Sequence, residues 1–119
     1  MADHNDLGRL GEKKAVEFLV NKGYVILECN WRYRKLEIDV IALKDNILVV
    51  VEVKTRSSSG FGLPQDSITK AKIRHLIQAI NQYVKMQSRQ EEIRFDILAI
   101  IKRNDDYTIE HLEDAFYPF

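Results

Sequence analysis

Residues 36–56 read LEIDVIALKDNILVVVEVKTR. Two runs rich in Val, Ile and Leu, Leu36 to Leu43 and Ile47 to Thr55, flank Lys44-Asp45-Asn46. β-Branched residues favour strands over helices, and Asp and Asn tolerate the positive φ that a tight hairpin turn requires. A two-residue turn at Asp45-Asn46 sets Asp39 opposite Glu52 and Glu37 opposite Lys54. Strand alternation then puts these four side chains on one face. Directly opposed residues have Cβ atoms about 4.5–5.5 Å apart, so two carboxylates are brought together with a lysine two residues along. The same face carries Ile41, Leu43, Leu48 and Val50, and the other carries Ile38, Val40, Val51 and Val53. With both faces apolar, the hairpin belongs in the interior.

Buried, opposed carboxylates cost several kcal/mol unless something compensates them. A hard divalent cation such as Mg²⁺ or Mn²⁺, held by Asp39 and Glu52, is one compensation. An internal salt-bridge cluster, in which Lys54 and Arg56 neutralise Glu37, Asp39 and Glu52, is the other.

Working outward, residues 8–22 read as a first helix, with Asp6 as its cap and Gly23 just past its end. Tyr24 to Asn30 is a first strand. Ser57-Ser58-Ser59-Gly60 opens a loop that reaches Pro64. A second helix runs from Thr69 to Met86, with Ile73, Leu76, Ile77, Ile80, Tyr83 and Val84 on one face. Ile93 to Lys102 is a fourth strand, interrupted by Asp96, and Tyr107 to Leu112 is a fifth at the sheet edge. The order α-β-β-β-α-β-β, with a helix crossing over to a parallel return strand, implies an α/β fold with a mixed sheet flanked by helices.

The 119 residues allow one domain, 1–119. Apolar residues make up 45% and charged residues 30%, an ordinary globular composition. No apolar run approaches the roughly 20 residues of a membrane span, and the polar N-terminus lacks the apolar stretch of a signal peptide. Cys29 is the only cysteine, so no internal disulfide forms, a reducing cytoplasm is the expected location, and Cys29 reads as a small buried hydrophobe. Eighteen basic and eighteen acidic residues give zero formal charge. The distribution is uneven: Arg32, Arg34, Lys35, Lys54, Arg56, Lys70, Lys72 and Arg74 crowd the middle, and Asp105, Asp106, Glu110, Glu113 and Asp114 crowd the end. A local basic face for a nucleic-acid partner therefore remains open.

Glu12 lies on the stripe of the first helix with Ala15, Val16 and Leu19, the face expected to meet the sheet. Gly8 and Gly11 flank it and permit a close backbone approach. The alternative for Glu12 is a solvated charge favoured near a helix N-terminus. Lys72 continues the apolar stripe of the second helix backwards, where it would either meet a phosphate at the helix N-terminus or snorkel over the sheet edge. Trp31 and Tyr33, among Arg32, Arg34 and Lys35, would either stack on bases or pack on the core. His4, His75 and His111 have no metal-ligand spacing.

Asp39 followed by Glu52-Val53-Lys54 resembles the PD-(D/E)XK signature of restriction-endonuclease-like enzymes. Taken with Gly8-Arg-Leu-Gly-Glu12, Gly23-Tyr24, Asn30-Trp-Arg32, Glu37-Ile-Asp39, Val51-Glu-Val-Lys-Thr-Arg56, Phe61-Gly62, Lys72 and Arg94-Phe-Asp96, the chain resembles the YraN family along nearly its whole length. That family comprises small, largely uncharacterised bacterial proteins similar to archaeal Holliday-junction resolvases. Two departures stand out: Ile38 occupies the proline position of the signature, and Leu36 replaces the glycine usual before Glu-Ile-Asp. The resemblance implies the three-layer restriction-endonuclease-like fold and hydrolysis of phosphodiester bonds in DNA, with branched or junction DNA among the candidate substrates. It implies that Glu12, Asp39 and Glu52 are metal-site carboxylates for Mg²⁺ or Mn²⁺ and that Lys54 stands next to the attacking water. Arg56 and Lys72 would bind flanking phosphates, with Arg32 a further nucleic-acid contact. A symmetric cutter would be a homodimer. The competing expectations are a non-catalytic nucleic-acid-binding protein of the same fold and an interaction module using the acidic C-terminal region.

Overall fold

The structure, a computed structural model, describes residues 3–57 and 68–116, the side chains of residues 3–6 excepted. The elements are α1 (Asp3–Asn21), β1 (Val25–Tyr33), β2 (Leu36–Lys44), β3 (Ile47–Arg56), α2 (Lys70–Gln87), β4 (Glu92–Arg103) and β5 (Asp106–Leu112). The five strands form one sheet in sequential order. All neighbours are antiparallel except β3 and β4, which run parallel because α2 carries the chain between them. This is the expected α/β architecture in the expected order. The proposed cap Asp6 lies inside α1, which already begins at Asp3. The loop expected to run to Pro64, and Phe61-Gly62 within it, falls outside the described residues beyond Ser57. Among the described residues no helix is long and apolar enough to cross a membrane.

One helix covers each face. Ala15 and Leu19 of α1 pack on Val40, Ala42, Val49, Val51, Leu98 and Ile100. Leu76, Ala79, Ile80 and Tyr83 of α2 pack on Ile38, Ile41, Leu48, Val50 and Phe95. Burying β3 on both sides explains why its apolar run is continuous rather than alternating. The N-terminus of α2 is capped by Thr69, whose hydroxyl accepts the Lys72 main-chain N–H at 3.0 Å. Gly23 closes α1 with φ +91°.

The turn between β2 and β3 is the two-residue one, with Asp45 at φ 51° and Asn46 at φ 64°. It sets the expected register, from Lys44 opposite Ile47 to Val40 opposite Val51. There the pairing stops. Ile38, expected on the face of Val40, packs instead with Ile41 under α2. Glu37, expected beside Lys54, is exposed and pairs with Arg32 at 3.4 Å, and its main-chain N–H donates to His75 Nε2 at 3.2 Å. The alternation of β2 therefore slips by one residue at Asp39.

Cys29, expected to be buried, is exposed, because β1 is an edge strand of the sheet. Trp31 packs edge-on against Tyr83 of α2 at 5.4 Å, and Tyr33 stacks on Trp31 at 6.4 Å. In this structure both rings serve packing.

A second polar cluster lies under α1. Asp96 is fully buried and accepts from Arg94 at 2.9 and 2.8 Å, from the main-chain N–H of Asp114 at 3.0 Å, and bonds His111 Nε2 at 2.7 Å. Burial pushes the Asp96 carboxyl up, but His111, Arg94 and the Asp114 N–H outweigh it and hold its pKa below the usual carboxylate value. This cluster ties β5 and the chain after it to β4.

Candidate active site

Where β2 and β3 part, the Asp39 carboxylate fills the gap. Its Oδ2 accepts the Val53 main-chain N–H at 2.9 Å. Burial first, and then the Glu52 carboxylate, raise the Asp39 pKa to about 6, against the opposing pull of the Val53 N–H and Lys72. The Glu12 carboxylate of α1 adds to the upward push. Both contributions carry the sign expected of an acid crowded by desolvation and like charge.

Glu52 is buried, with its side chain 7% exposed, and it has cationic neighbours. Lys54 Nζ lies 3.5 Å and Lys72 Nζ 3.7 Å from the same oxygen, Oε2. Lys54 reaches it because residues two apart on a strand share a face. Lys72 reaches it from the first turn of α2, which packs over that face. Lys72 thus belongs to the site rather than to its outer rim. The two carboxylates differ: Glu52 is ion-paired, whereas among the described residues Asp39 has only a main-chain donor.

Glu12 comes to the site through Gly11. A Cβ at Gly11 would overlap Thr55 Oγ1 of β3 and crowd its Cγ2 and Cβ, so only glycine lets α1 lie this close to the strand that carries Glu52 and Lys54. Glu12 Oε2 accepts from the Asn30 side-chain amide at 3.1 Å. From the sequence Asn30 stood out only as part of the Asn30-Trp-Arg32 motif, with no role of its own. Its signal there was an Asn, a residue tolerant of positive φ, placed inside an otherwise strand-like run.

The structure thus gathers Asp39, Glu52, Lys54 and Lys72, with Glu12 near enough for its charge to be felt at Asp39. It does not bring Arg32 into the cluster. Arg56, at the end of β3, donates Nη1 to its neighbour's carbonyl, Thr55 O, at 2.9 Å. Among the described residues no three His, Cys, Asp or Glu side chains converge closely enough to ligate one ion together. Asp39 and Glu52 form an all-oxygen pair, the donor chemistry of a hard cation that keeps several of its waters.

Residues 11–100 match the profile of the Uncharacterised protein family UPF0102. A UPF0102 protein of Flavobacterium psychrophilum is 59% identical over 119 residues, covering 100% of both chains. One from Christiangramia forsetii is 50% identical over 119 residues, again covering 100% of both. One from Bacteroides fragilis is 46% identical over 118 residues, covering 99% of this chain and 98% of its own. The chain belongs to the uncharacterised protein family UPF0102, the YraN family.

Proposed function

We propose that this protein is a divalent-metal-dependent nuclease that hydrolyses phosphodiester bonds in DNA at Asp39, Glu52 and Lys54. One observation carries the reading: Asp39 is held in a half-buried fork beside Glu52, with no cationic partner within ion-pair distance among the described residues, and its pKa is raised to about 6. Acids held in so unfavourable a state cluster at functional sites.

Asp39 and Glu52, with the Val53 carbonyl, would hold Mg²⁺ or Mn²⁺. When bound, such an ion lowers the pKa of water and stabilises negative charge on a phosphate. Lys54 is placed to orient the attacking water or to offset charge that develops on the phosphate oxygens. Glu12 would act at one remove, through a water. Lys72, now paired with Glu52, would turn to a phosphate oxygen once a cation takes its place at that carboxylate. Arg56 and Arg32 would bind more distant phosphates. Water oxygen joins phosphorus and the water gives up a proton, the P–O bond to the sugar breaks, and the leaving oxygen takes up a proton, so none is gained or lost overall.

The test is incubation with labelled linear and branched DNA in Mg²⁺ or Mn²⁺, with an EDTA control. Metal-dependent cleavage is the expected result. The ion pairs of Glu52 with Lys54 and Lys72 favour a second reading, a DNA-binding protein of this fold that does not cleave. Salt-dependent DNA binding in EDTA, with no cleavage in either metal, would select that second reading.

A further inference from the structure

Both β1 and β2 lose their alternation at the same level of the sheet. Glu28 faces α2, where Tyr83 donates to it at 3.4 Å, and Trp31 faces α2 as well. Regular alternation would put residues three apart on opposite faces. Across the ladder, Ile41 and Ile38 repeat the pattern, both packing under α2. The register pairs Cys29 with Val40 and Trp31 with Ile38, which leaves Asn30 opposite Asp39. The slip on β1 has a visible cause: Asn30 has φ 52°, in the left-handed region that Asn tolerates better than most residues.

That conformation determines what Asn30 can touch. Its side chain leaves the α2 face and reaches α1, where Nδ2 donates to Glu12 Oε2 at 3.1 Å. Glu12 has no other hydrogen-bond or ion-pair partner among the described residues. An exposed hydrogen bond of this kind contributes little to stability. Its effect is to select one orientation of a carboxylate on a helix surface, beside the site and without joining it.

We propose that Asn30 is a positioning residue that aims the Glu12 carboxylate at the Asp39–Glu52 site. The proposal rests on the reading of that site as a divalent-cation site. The left-handed backbone supplies the direction and the amide supplies the hold. The residue types that combine the two are few: glycine keeps the backbone and loses the amide, while glutamine keeps an amide and strains the backbone.

The experiment is calorimetric Mn²⁺ titration of the full chain, comparing wild type with Asn30→Gly, Glu12→Gln and the double variant. Asn30→Gly should weaken Mn²⁺ binding by roughly the same factor as Glu12→Gln, about 10-fold or more, as loss of a residue acting behind the ligands does. The double variant should be no weaker than either single one, because the two residues act as one unit. Melting temperature should change little in Asn30→Gly. Wild-type Mn²⁺ affinity in Asn30→Gly, with a loss in Glu12→Gln, would overturn the role of Asn30 and leave the site reading intact. No Mn²⁺ binding by wild type would overturn both. Should Asn30→Gly fold poorly, the Asn30 side-chain amide resonances in Glu12→Ala decide: they should shift and exchange faster, and unchanged resonances would overturn the proposal.

Discussion

Asp39 Oδ2 accepts the Val53 main-chain N–H at 2.9 Å, so an ionisable side chain sits where continued pairing would bring a main-chain acceptor from β2. The strands part there, and the parting opens the sheet beside Glu52. The arrangement has a cost. A carboxyl whose pKa rises from 3.8 to about 6 on folding binds more protons folded than unfolded between those values. Its contribution to stability therefore declines as pH rises through that window and stays unfavourable above it.

Asp39→Asn removes the charge, and the amide oxygen can still accept the Val53 N–H. In EDTA at pH 8 this variant should be more stable than wild type by about 1–3 kcal/mol, from a shift of about two pKa units at roughly 1.4 kcal/mol each with allowance for partial exposure. The gain should vanish below about pH 4. Urea melts of both proteins at several pH values measure it. A loss of stability at pH 8 would mean that Asp39 has a cationic partner.

Glu52→Gln should do the reverse. Glu52 is buried and faces Lys54 and Lys72 at 3.5 and 3.7 Å, so neutralising it strands two ammonium groups. Breaking a fully buried pair costs about 3–5 kcal/mol. Both lysines reach solvent in part, which lowers the expected loss to about 1–2 kcal/mol in EDTA. The same melts check it. Equal responses to Asp39→Asn and Glu52→Gln would contradict the distinction between the two carboxylates.

Gly11→Ala should destabilise the protein by about 1–3 kcal/mol through overpacking, although alanine is the better helix former. The new methyl group would overlap Thr55 Oγ1. Thr55→Ala removes that atom, so the double variant should recover much of the loss, a coupling that a thermodynamic cycle measures. Additive losses would place the strain elsewhere.

What the sequence disclosed follows from what each residue's neighbours could do. The Asp45-Asn46 turn was legible because Asp and Asn are suited to positive φ, and it fixed the register as far as Val40 and Val51. The slip at Asp39 was not, because a side chain capturing the Val53 N–H is a tertiary event that alternation does not foresee. Glu37 was misplaced beside Lys54 for the same reason. Lys72 could be read as near the sheet from its stripe, but its pairing with Glu52 depends on how α2 lies across β3. Cys29 was expected to be buried because an apolar run does not announce that it forms an edge. The Asp96–His111 bond joins residues on separate strands that a single-chain pattern does not pair.

The most direct measurement is single-turnover cleavage of DNA in Mg²⁺ or Mn²⁺ by wild type, Asp39→Ala, Glu52→Ala and Lys54→Ala, with DNA affinity determined in Ca²⁺. Each variant should lose cleavage while keeping its affinity, because the carboxylates and the lysine act on the reacting phosphate and not on the flanking contacts. The Asp39→Ala/Lys54→Ala double variant should be hardly slower than either single one, since residues serving one reaction act as a unit. Cleavage that persists in all three variants, or a wild type that binds Mn²⁺ and DNA and cuts neither linear nor branched substrates, would contradict the account.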